Sequence, residues 1–313
     1  MSKKTIKVAV GIVRNAEGKI LLSQRKPGVL LAGKWEFPGG KLEENETELA
    51  GLKRELSEEL GIKVKNAKKI IEISHSYPEF KVKLKVYEVR SFSGKIEAKE
   101  DQNLRWTLAY ELSDLDILSS DRPIISALNL PDRYMITPQG KSIEELITLI
   151  NHAVVKFKIT LVQYRDNVTE DIFKIKAQQL IKLARELNIK LLLNSNIELA
   201  KQLKADGVHL NSRRLMVLEN FINPHNFILG ASCHNLPELK KAAKINANFA
   251  VLSQVLPSSS HPENPGFGWK EFSKLVKKSN IPTYALGGVG IENITRARES
   301  GAQGIAGISC FKD

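Results

Sequence analysis

The chain has 313 residues, 42% of them hydrophobic, and a formal net charge of +12, which favours two soluble domains that each bury a core. No apolar run approaches the roughly 20 residues of a membrane span, and two cysteines, Cys233 and Cys310, are too few for a disulfide framework or a cysteine metal cluster. The lysines are scattered without interleaved aromatic residues, so the charge favours small phosphorylated ligands, or a generally basic surface, over a nucleic-acid groove.

The first thirteen residues are basic and then apolar, as in a signal peptide, but the apolar part is short and no small-residue cleavage site follows. They therefore predict a strand at 6–13 and a cytoplasmic protein. Alternating apolar residues predict further strands at 19–24, 70–76, 81–92 and 104–106, with a turn at 15–18 and a short helix at 121–128. Pro38, Gly39 and Gly40 predict a break in regular structure.

A helix is predicted within residues 40–62, GKLEENETELAGLKRELSEELGI. Asn45 as N-cap with Glu48 three residues later has the spacing of a capping box, and Gly61 is suited to end the helix. At about 100° per residue, one apolar stripe is expected. Its members are Leu49, Leu52, Leu56 and Leu60.

Three carboxylates share the face beside that stripe, because Glu55, Glu58 and Glu59 are spaced i, i+3 and i+4. Such carboxylates repel one another unless a cation neutralises them. Oxygen ligands suit Mg²⁺ or Mn²⁺, which also bind phosphate oxygens. The alternative is a solvated acidic helix face without a metal.

The same stretch matches the Nudix box at every defining position, from Gly40 and Glu46 through Arg54-Glu55-Leu56 and Glu58-Glu59 to Gly61-Ile62. Residues 1–130 therefore resemble Nudix hydrolases, which implies an α/β/α sandwich with a mixed sheet and a metal-dependent hydrolase. The resemblance implies that Arg54 orients the glutamates. The implied metal ligands are the Gly40 carbonyl, Glu55, Glu58, Glu59 and Glu100.

The flanking segments WEFPGGK at 35–41, KEDQ at 99–102 and SSDRPII at 119–125 are similar to MutT-type enzymes, which remove oxidised guanine nucleotides from the pool. The resemblance implies that Lys41 holds phosphate and that Phe37 lines the nucleotide site. It also implies that Arg25 contacts the base and Asp121 reads its edge. The alternative for Arg25 is a surface arginine, and a carboxylate at 121 can only accept hydrogen bonds unless it is protonated.

Short apolar runs alternate with helical patterns after Asp132, beginning at 134–137 and ending at 304–309. About eight such βα units in residues 131–313 predict a (β/α)₈ TIM-type barrel. The domain boundary is expected between Asn129 and Arg133, where Pro131 interrupts the chain.

This half resembles the thiamine-phosphate synthase/TenI family through VQYRD at 162–166, ADGVHL at 205–210, GASCH at 230–234, LPSSSHP at 256–262 and ALGGV at 285–289. The resemblance implies a bound phosphorylated small molecule, thiazole phosphate or thiamine phosphate. The residues implied to bind it are Gln163, Arg165, Asn194, Ser232, His234, Ser258, Ser260, Gly287 and Gly288.

The departures from the synthase pattern are as informative as the matches. A lysine is replaced by Asn167, a metal-binding aspartate by Ser195, and a second aspartate is missing near Arg214. Without these carboxylates the barrel is expected to lack the metal site that assists pyrophosphate departure. His234 resembles an acid–base histidine of the TenI group, and its alternative is a polar loop cap. His209 is expected to be packed or hydrogen-bonded.

The function predicted for the N-terminal domain is hydrolysis of 8-oxo-dGTP to 8-oxo-dGMP and pyrophosphate by attack of water at phosphorus. Two alternatives stay open: a Nudix diphosphatase for thiamine diphosphate or damaged analogues, and a barrel that serves only as a sensor or scaffold. Hydrolysis of RNA 5′ ends is disfavoured because no strand-tracking basic groove is visible in the sequence.

Overall fold

The computed structural model describes residues 3–219, 226–258 and 263–312. The chain forms two compact units, Met1–Asn129 and Leu130–Asp313. Each unit has its own hydrophobic core. Within the described ranges, no helix combines the length and apolar character needed to cross a membrane.

The N-terminal unit is a mixed-sheet α/β fold, as the sequence predicted. Its strands are β1 (Thr5–Val13), β2 (Ile20–Gln24), β3 (Trp35–Glu36), β4 (Gly39–Lys41), β5 (Lys63–Ser76), β6 (Lys81–Ser93) and β7 (Leu104–Thr107), and its helices are α1 (Glu48–Leu60) and α2 (Arg122–Asn129). One sheet has the order β4-β1-β6-β5 with β1 and β6 parallel, and a second has the order β3-β2-β7. Short 3₁₀ turns cover Ala109–Asp114 and Ser119–Asp121.

Helix α1 packs on the first sheet through Leu52, Leu56 and Leu60, which are fully buried. Helix α2 contributes Ile124 and Ile125 to a second apolar cluster. Burial of these stripes fixes the face of α1 that carries the glutamates, because residues three and four apart lie on one side of a helix.

The start of α1 differs from the prediction. The N-cap is Thr47, whose hydroxyl accepts from Ala50 N at 3.3 Å, and Asn45 lies two residues earlier with φ of 63°. Asparagine tolerates this left-handed conformation, so it forms the turn that precedes the helix. Leu49 is 39% exposed and lies outside the buried stripe. The predicted end at Gly61 is confirmed, with φ of 70°.

The predicted break at Pro38–Gly40 is also wrong in part, because Gly39 and Gly40 belong to β4 and pair with β1. Gly39 has φ of 140°, and a Cβ there would lie 2.1 Å from the Ala9 carbonyl oxygen. Two glycines therefore allow a strand that no larger residue could form. Strand β5 begins at Lys63, seven residues before the prediction, because bulges opposite β6 disturb its alternation.

The C-terminal unit is a closed barrel of parallel strands, as predicted. Its strands are β8 (Arg133–Ile136), β9 (Leu161–Tyr164), β10 (Lys190–Leu193), β11 (Gly207–Leu210), β12 (Ile228–Cys233), β13 (Phe249–Ser253), β14 (Thr283–Leu286) and β15 (Gly304–Gly307). Its helices are α3 (Ile143–Phe157), α4 (Glu170–Glu186), α5 (Ile197–Gln202), α6 (Ser212–Val217), α7 (Leu236–Lys244), α8 (Gly268–Val276) and α9 (Ile294–Glu299), with 3₁₀ turns at Ile291–Asn293 and Ser309–Phe311. Strand β15 pairs with β8 and closes the barrel.

Large side chains fill the barrel interior near the N-terminal ends of its strands. Tyr134, Phe249 and Tyr284 are fully buried and their ring centroids lie 5.1 to 5.6 Å apart. These rings fill the barrel interior near the N-terminal ends of the strands, and barrels of this kind bind ligands at the C-terminal ends.

Candidate active site and barrel mouth

Arg54 on α1 is the centre of the acidic site. Its Nε and Nη2 donate to the two Glu46 carboxylate oxygens at 3.0 Å, and Nη2 also donates to the Lys41 carbonyl at 3.0 Å. Its Nη1 donates to Glu55 Oε1 at 3.0 Å and to Glu58 Oε2 at 2.9 Å. One guanidinium therefore joins the segment before α1 to two of the predicted metal ligands.

The backbone of β4 lies directly against the other carboxylates. Gly39 N donates to Glu59 Oε2 at 3.0 Å. A Cβ at Gly40 would lie 2.1 Å from Glu55 Oε2, so a glycine is required for Glu55 to reach this strand. The structure thus brings the Gly40 backbone, Glu55 and Glu59 close together.

Negative charge exceeds positive charge on this face. Burial, with smaller contributions from the charges of Glu100, Glu36 and Glu55, raises the pKa of Glu59 to about 8. Burial also raises the pKa of Glu55, although the Arg54 guanidinium opposes the shift. Crowded carboxylates with too little positive charge are the donor set that a hard divalent cation prefers.

Those oxygens do not yet converge on one point. Among the residues that the structure describes, no three His, Cys, Asp or Glu side chains are grouped to hold a metal ion. Arg54 lies between Glu55 and Glu58, and Gly39 holds Glu59. The residues fit Mg²⁺ or Mn²⁺ by their chemistry and their shared face, and the side chains would rotate from their present partners to bind one.

Glu100 reaches this face from the segment between β6 and β7. Its carboxylate is near enough to Glu55 and Glu59 to raise the pKa of both. A carboxylate oxygen of Glu100 lies 3.4 Å from Lys26 Nζ. The predicted fourth acidic ligand is therefore brought to the same side as the helix carboxylates.

The residues predicted to read the base include the buried acidic residue Asp121, and Arg25 among them pairs with a second acidic residue, Glu36. Arg25 Nη1 donates to both oxygens of Glu36 at 3.0 and 2.8 Å. Asp121 is 4% exposed and accepts from Ser120 Oγ at 3.0 Å and from Phe37 N at 3.4 Å. The structure thus groups Arg25, Phe37 and Asp121, and it adds Glu36 to them.

Burial raises the pKa of Asp121 to about 7, and the neighbouring charge of Glu36 acts in the same direction. Burial likewise raises the pKa of Glu36. Near neutral pH, Asp121 can therefore exist as an acceptor or as a protonated donor. Phe37 N contacts Asp121 of the base-reading group, and Gly39 N, two residues further along the same segment, contacts Glu59 of the acidic face.

Sequence reasoning missed Glu36 and Tyr77. Glu36 is inside the WEFPGGK segment, so the family match could have indicated it. Tyr77 donates to Ser120 Oγ at 3.2 Å, and its ring lies 5.0 Å from Phe80 and 4.7 Å from His75. No pattern predicted this aromatic group, because Tyr77 meets Ser120 from a distant part of the chain.

A chain of hydrogen bonds crosses the upper barrel interior. His209 Nδ1 lies 3.1 Å from the Tyr134 hydroxyl, and His209 Nε2 lies 2.9 Å from Ser232 Oγ. Burial and the nearby Arg165 charge lower the pKa of His209 to about 3, so its ring is neutral. The packed, hydrogen-bonded histidine predicted at 209 is confirmed, and it orients Ser232 at the mouth.

Three further predicted binding residues lie on or just after β9 and β10, with Gln163 inside β9 and Arg165 and Asn194 after the two strands. Gln163 is 2% exposed inside the barrel. Arg165 is half-buried, and its Nε is buried without a hydrogen-bond partner among the described residues. Asn194 is half-buried and donates its backbone N–H to the Tyr164 carbonyl at 2.8 Å. The mouth therefore presents an arginine whose hydrogen-bonding capacity is not used up within the barrel.

His234 is directed to its own loop. Its backbone N and its ring Nδ1 lie 2.7 and 3.0 Å from Glu238 Oε2, and the side chain is 52% exposed. These contacts favour the loop-capping alternative over the acid–base role. Ser258 is half-buried in the loop after β13, and Ser260 lies outside the described residues.

The turn after β14 requires its glycines. Gly287 has φ of 96° and Gly288 has φ of 62°, and a Cβ at Gly288 would lie 2.1 Å from the Pro257 carbonyl oxygen. A backbone turn this close to the neighbouring loop exposes N–H groups without side chains. It is the geometry expected of the predicted phosphate turn.

The substituted synthase positions supply no carboxylate at the mouth. Asn167 is exposed, and Ser195 is buried and donates its hydroxyl to the Asn196 carbonyl at 2.8 Å. Arg214 is exposed in the first turn of α6. These three positions therefore offer no anionic ligand for a divalent metal.

Comparisons with known proteins match both units. Residues 133–311 match the thiamine monophosphate synthase family, and residues 9–127 match the Nudix domain. The chain is 37% identical over 188 residues to the putative thiamine-phosphate synthase 2 of Aquifex aeolicus (strain VF5), a match that covers 59% of this chain and 99% of that protein. The E. coli ORF135 protein is 34% identical with a TM-score of 0.36, over 39% of this chain and 87% of the other. A MutT structure from work on Aliivibrio salmonicida and Vibrio cholerae is 26% identical with a TM-score of 0.36, over 40% and 97%.

Proposed function

The chain belongs to the thiamine monophosphate synthase family through residues 133–311 and carries a Nudix hydrolase domain at residues 9–127, and from this premise we propose that its N-terminal unit hydrolyses 8-oxo-dGTP to 8-oxo-dGMP and pyrophosphate. The observation that carries the proposal is the continuity of the site. Phe37 N donates to Asp121 Oδ2 at 3.4 Å, and Gly39 N, two residues further along the same segment, donates to Glu59 Oε2 at 3.0 Å. A nucleotide can therefore meet both groups at once.

In the proposed reaction a water oxygen forms a bond to phosphorus as the bridging oxygen between the α and β phosphates leaves with pyrophosphate. Glu55, Glu58, Glu59, Glu100 and the Gly40 carbonyl would hold the metal. A bound Mg²⁺ or Mn²⁺ would neutralise triphosphate charge and lower the pKa of a water molecule. Arg54, on the same helix, holds the carboxylates of Glu55 and Glu58 in place by hydrogen bonds.

Two other groups position the substrate. Lys41 is exposed at the end of β4 and would contact the phosphates. Oxidation at C8 turns guanine N7 from an acceptor into an N–H donor, and an ionised Asp121 would accept from it. With unmodified dGTP the same carboxylate would face an acceptor and stay unpaired, which disfavours that substrate.

The test is a substrate panel on the full chain, with released pyrophosphate and phosphate measured separately. We expect pyrophosphate from 8-oxo-dGTP with a higher kcat/KM than from dGTP. The Glu58→Gln variant controls for contaminating hydrolases. Faster hydrolysis of thiamine diphosphate than of 8-oxo-dGTP would support the thiamine-diphosphatase alternative. Faster release of pyrophosphate from 5′-triphosphate RNA than from either nucleotide would contradict the proposal.

For the barrel, the contacts support binding of a phosphorylated small molecule without synthase chemistry. Arg165, Ser232 and the Gly287–Gly288 turn remain at the mouth. The lost carboxylates would have held the metal that assists pyrophosphate departure. If the barrel is instead a sensor, a saturating phosphate ligand should change the Nudix rate of the full chain, and a rate that stays constant would remove that alternative.

A further inference from the structure

Gln102 is buried between exposed neighbours in the segment that carries Glu100. It is 8% exposed, whereas Asp101 and Asn103 on either side are exposed. A glutamine buried in this way must satisfy both its amide oxygen and its amide nitrogen. Its Oε1 accepts from Glu100 N at 3.0 Å, and its Nε2 donates to the Glu59 carbonyl at 2.9 Å.

This amide therefore joins two proposed metal ligands. The Glu59 carbonyl is at the last turn of α1, where carbonyls have no partner within the helix. Lys99 N also donates to that carbonyl at 3.0 Å, and Glu97 N donates to the Leu60 carbonyl at 3.1 Å. Segment 97–102 is thus fastened to the end of α1 that carries the glutamates.

Glu100 is held from its other side by Lys26. Lys26 Nζ donates to the Glu100 carbonyl and lies 3.4 Å from the Glu100 carboxylate. Asp101 has φ of 57°, a left-handed conformation that turns the chain between Glu100 and Gln102. Side chains therefore hold both peptide groups of Glu100, its N–H through Gln102 and its carbonyl through Lys26.

We propose that Gln102 is a positioning residue that fixes Glu100 beside the carboxylates of α1, with Lys26 as its counterpart on the opposite side. The inference rests on the place of Glu100 in the proposed function. Glu100 is on a loop with its side chain 47% exposed, so its carboxylate reaches the metal face only if the loop backbone is fixed. Holding a ligand in its binding position before the metal arrives strengthens binding, because less freedom is lost on binding.

Helix capping alone would be a different role for the same contacts. A purely structural Gln102 would change the thermal midpoint without changing metal affinity. A positioning Gln102 changes metal affinity, and does so only while Glu100 is present. A double-mutant cycle separates the two roles, because residues that act as one unit are not additive.

The experiment measures Mn²⁺ affinity of the full chain by calorimetry and electron spin resonance, so no turnover is needed. Gln102→Met keeps the side-chain size and removes both hydrogen bonds. We expect it to weaken Mn²⁺ binding by about tenfold, the lower end of the usual effect of a partner that orients a ligand. Glu100→Gln should weaken binding at least as much, and the double variant no more than Glu100→Gln alone. Additive losses, or unchanged affinity in Gln102→Met, would overturn the proposal.

Two controls keep the outcome clear. Glu97→Gln alters an exposed carboxylate in the same segment and should leave Mn²⁺ affinity unchanged. Lys26→Met, at a side chain 42% exposed, should fold even if Gln102→Met does not, and it should show the same non-additivity with Glu100→Gln. Lys26→Arg should restore part of the affinity. If the variants show the expected Mn²⁺ affinities but the wild type hydrolyses no nucleoside triphosphate, the proposed reaction is refuted and the positioning role of Gln102 is not.

Discussion

The acidic face of α1 and the barrel mouth both gather polar groups, and they differ in the sign of the charge left unbalanced. On α1, the carboxylates of Glu55, Glu58 and Glu59 share one face, and burial, with smaller contributions from neighbouring carboxylates, raises the pKa of Glu59 to about 8. At the mouth, Arg165 is half-buried with an unpartnered Nε among the described residues. We therefore expect the first site to need a cation before it accepts a phosphate, and the second to accept an anion directly.

The largest expected effect comes from removing one charge on the acidic face. Glu58→Gln should lower kcat by roughly 10²–10⁴ while keeping the fold, because a charged group next to the reacting phosphate is lost. The measurement is pyrophosphate release at saturating Mg²⁺, with a thermal midpoint to check folding. Glu79→Gln, an exposed carboxylate in the β5–β6 turn, should behave as wild type. Near-normal turnover of Glu58→Gln would reject this assignment.

Base choice should be the next most sensitive property. Asp121→Ala removes the buried carboxylate that would accept from the N7–H of the oxidised base. We expect the preference for 8-oxo-dGTP over dGTP to fall by about 10- to 100-fold, the discrimination that one unpaired buried group can provide. The measurement is kcat/KM for both nucleotides, and Asp116→Ala, at an exposed carboxylate, is the matched control. An unchanged ratio in Asp121→Ala would assign base reading to another residue, with Glu36 the first to test.

The barrel should bind its ligand without a metal. In the Glu58→Gln full chain, thiamine phosphate should bind with the same Kd before and after EDTA, while the Nudix reaction of wild type stops. Arg165→Met should raise this Kd by about tenfold, the value of one charge-assisted contact. Arg185→Met, near the C-terminal end of α4 and so at the opposite end of the barrel, should not. Loss of binding on chelation would place a metal at the mouth.

The lack of carboxylates at the barrel mouth predicts that the chain does not synthesise thiamine phosphate. With Mg²⁺ present, the full chain should form no detectable thiamine phosphate from a pyrimidine diphosphate and thiazole phosphate. The diphosphate carries several negative charges, and Asn167, Ser195 and Arg214 offer no carboxylate to hold a divalent metal. Calorimetry should still detect thiazole phosphate at Gly287, Gly288 and Ser232. Product formation would show that another group replaces the lost ligands.

Local rules predicted much of this molecule and failed where distant segments meet. Periodicity alone located the barrel strands, because parallel buried strands give separate apolar runs. The break expected from the Pro-Gly-Gly sequence is wrong at Gly39, because the close approach of β1 suits a strand residue without a side chain. The N-cap expected from capping-box spacing is wrong at Asn45, because Asn45 adopts a left-handed conformation in the preceding turn and Thr47 caps the helix.

The candidate sites show the same difference between local features, which the sequence predicts, and contacts between distant segments, which it does not. The spacing within one helix placed Glu55, Glu58 and Glu59 on one face, because that geometry is local. The pairing of Arg25 with Glu36, the hydrogen bond from Gln102 to the Glu59 carbonyl and the hydrogen bond from Tyr77 to Ser120 join separate segments of the sequence. Sequence reasoning could therefore propose the metal ligands and Arg54 beside them, and not Gln102 and Lys26, which hold Glu100.

The smallest expected effect distinguishes the two units by their response to acid. The folded pKa of His209 is about 3, below its ordinary 6.5, because burial disfavours the charged ring. Between these values the unfolded chain binds more protons, so the barrel is most stable above pH 6.5 and loses stability as pH falls. The N-terminal ion network of Glu48, Glu72 and Lys85 behaves differently. Its two carboxylates have folded pKa values of about 2 against 4.5, so its contribution is lost only below pH 4.5.

Acidification from pH 7 to 5.5 should therefore destabilise the barrel by about 1 kcal/mol through His209 and leave the ion network intact. Hydrogen exchange followed by mass spectrometry can measure the two units separately in the full chain. His209→Gln, which keeps polar contacts for Tyr134 and Ser232, should remove the pH dependence of the barrel in this range. Glu72→Gln should leave that range unchanged and alter the N-terminal unit only below pH 4.5. If the N-terminal unit opened first at pH 5.5, or if His209→Gln kept the full pH dependence, the buried neutral histidine would not be the acid-sensitive group of the barrel.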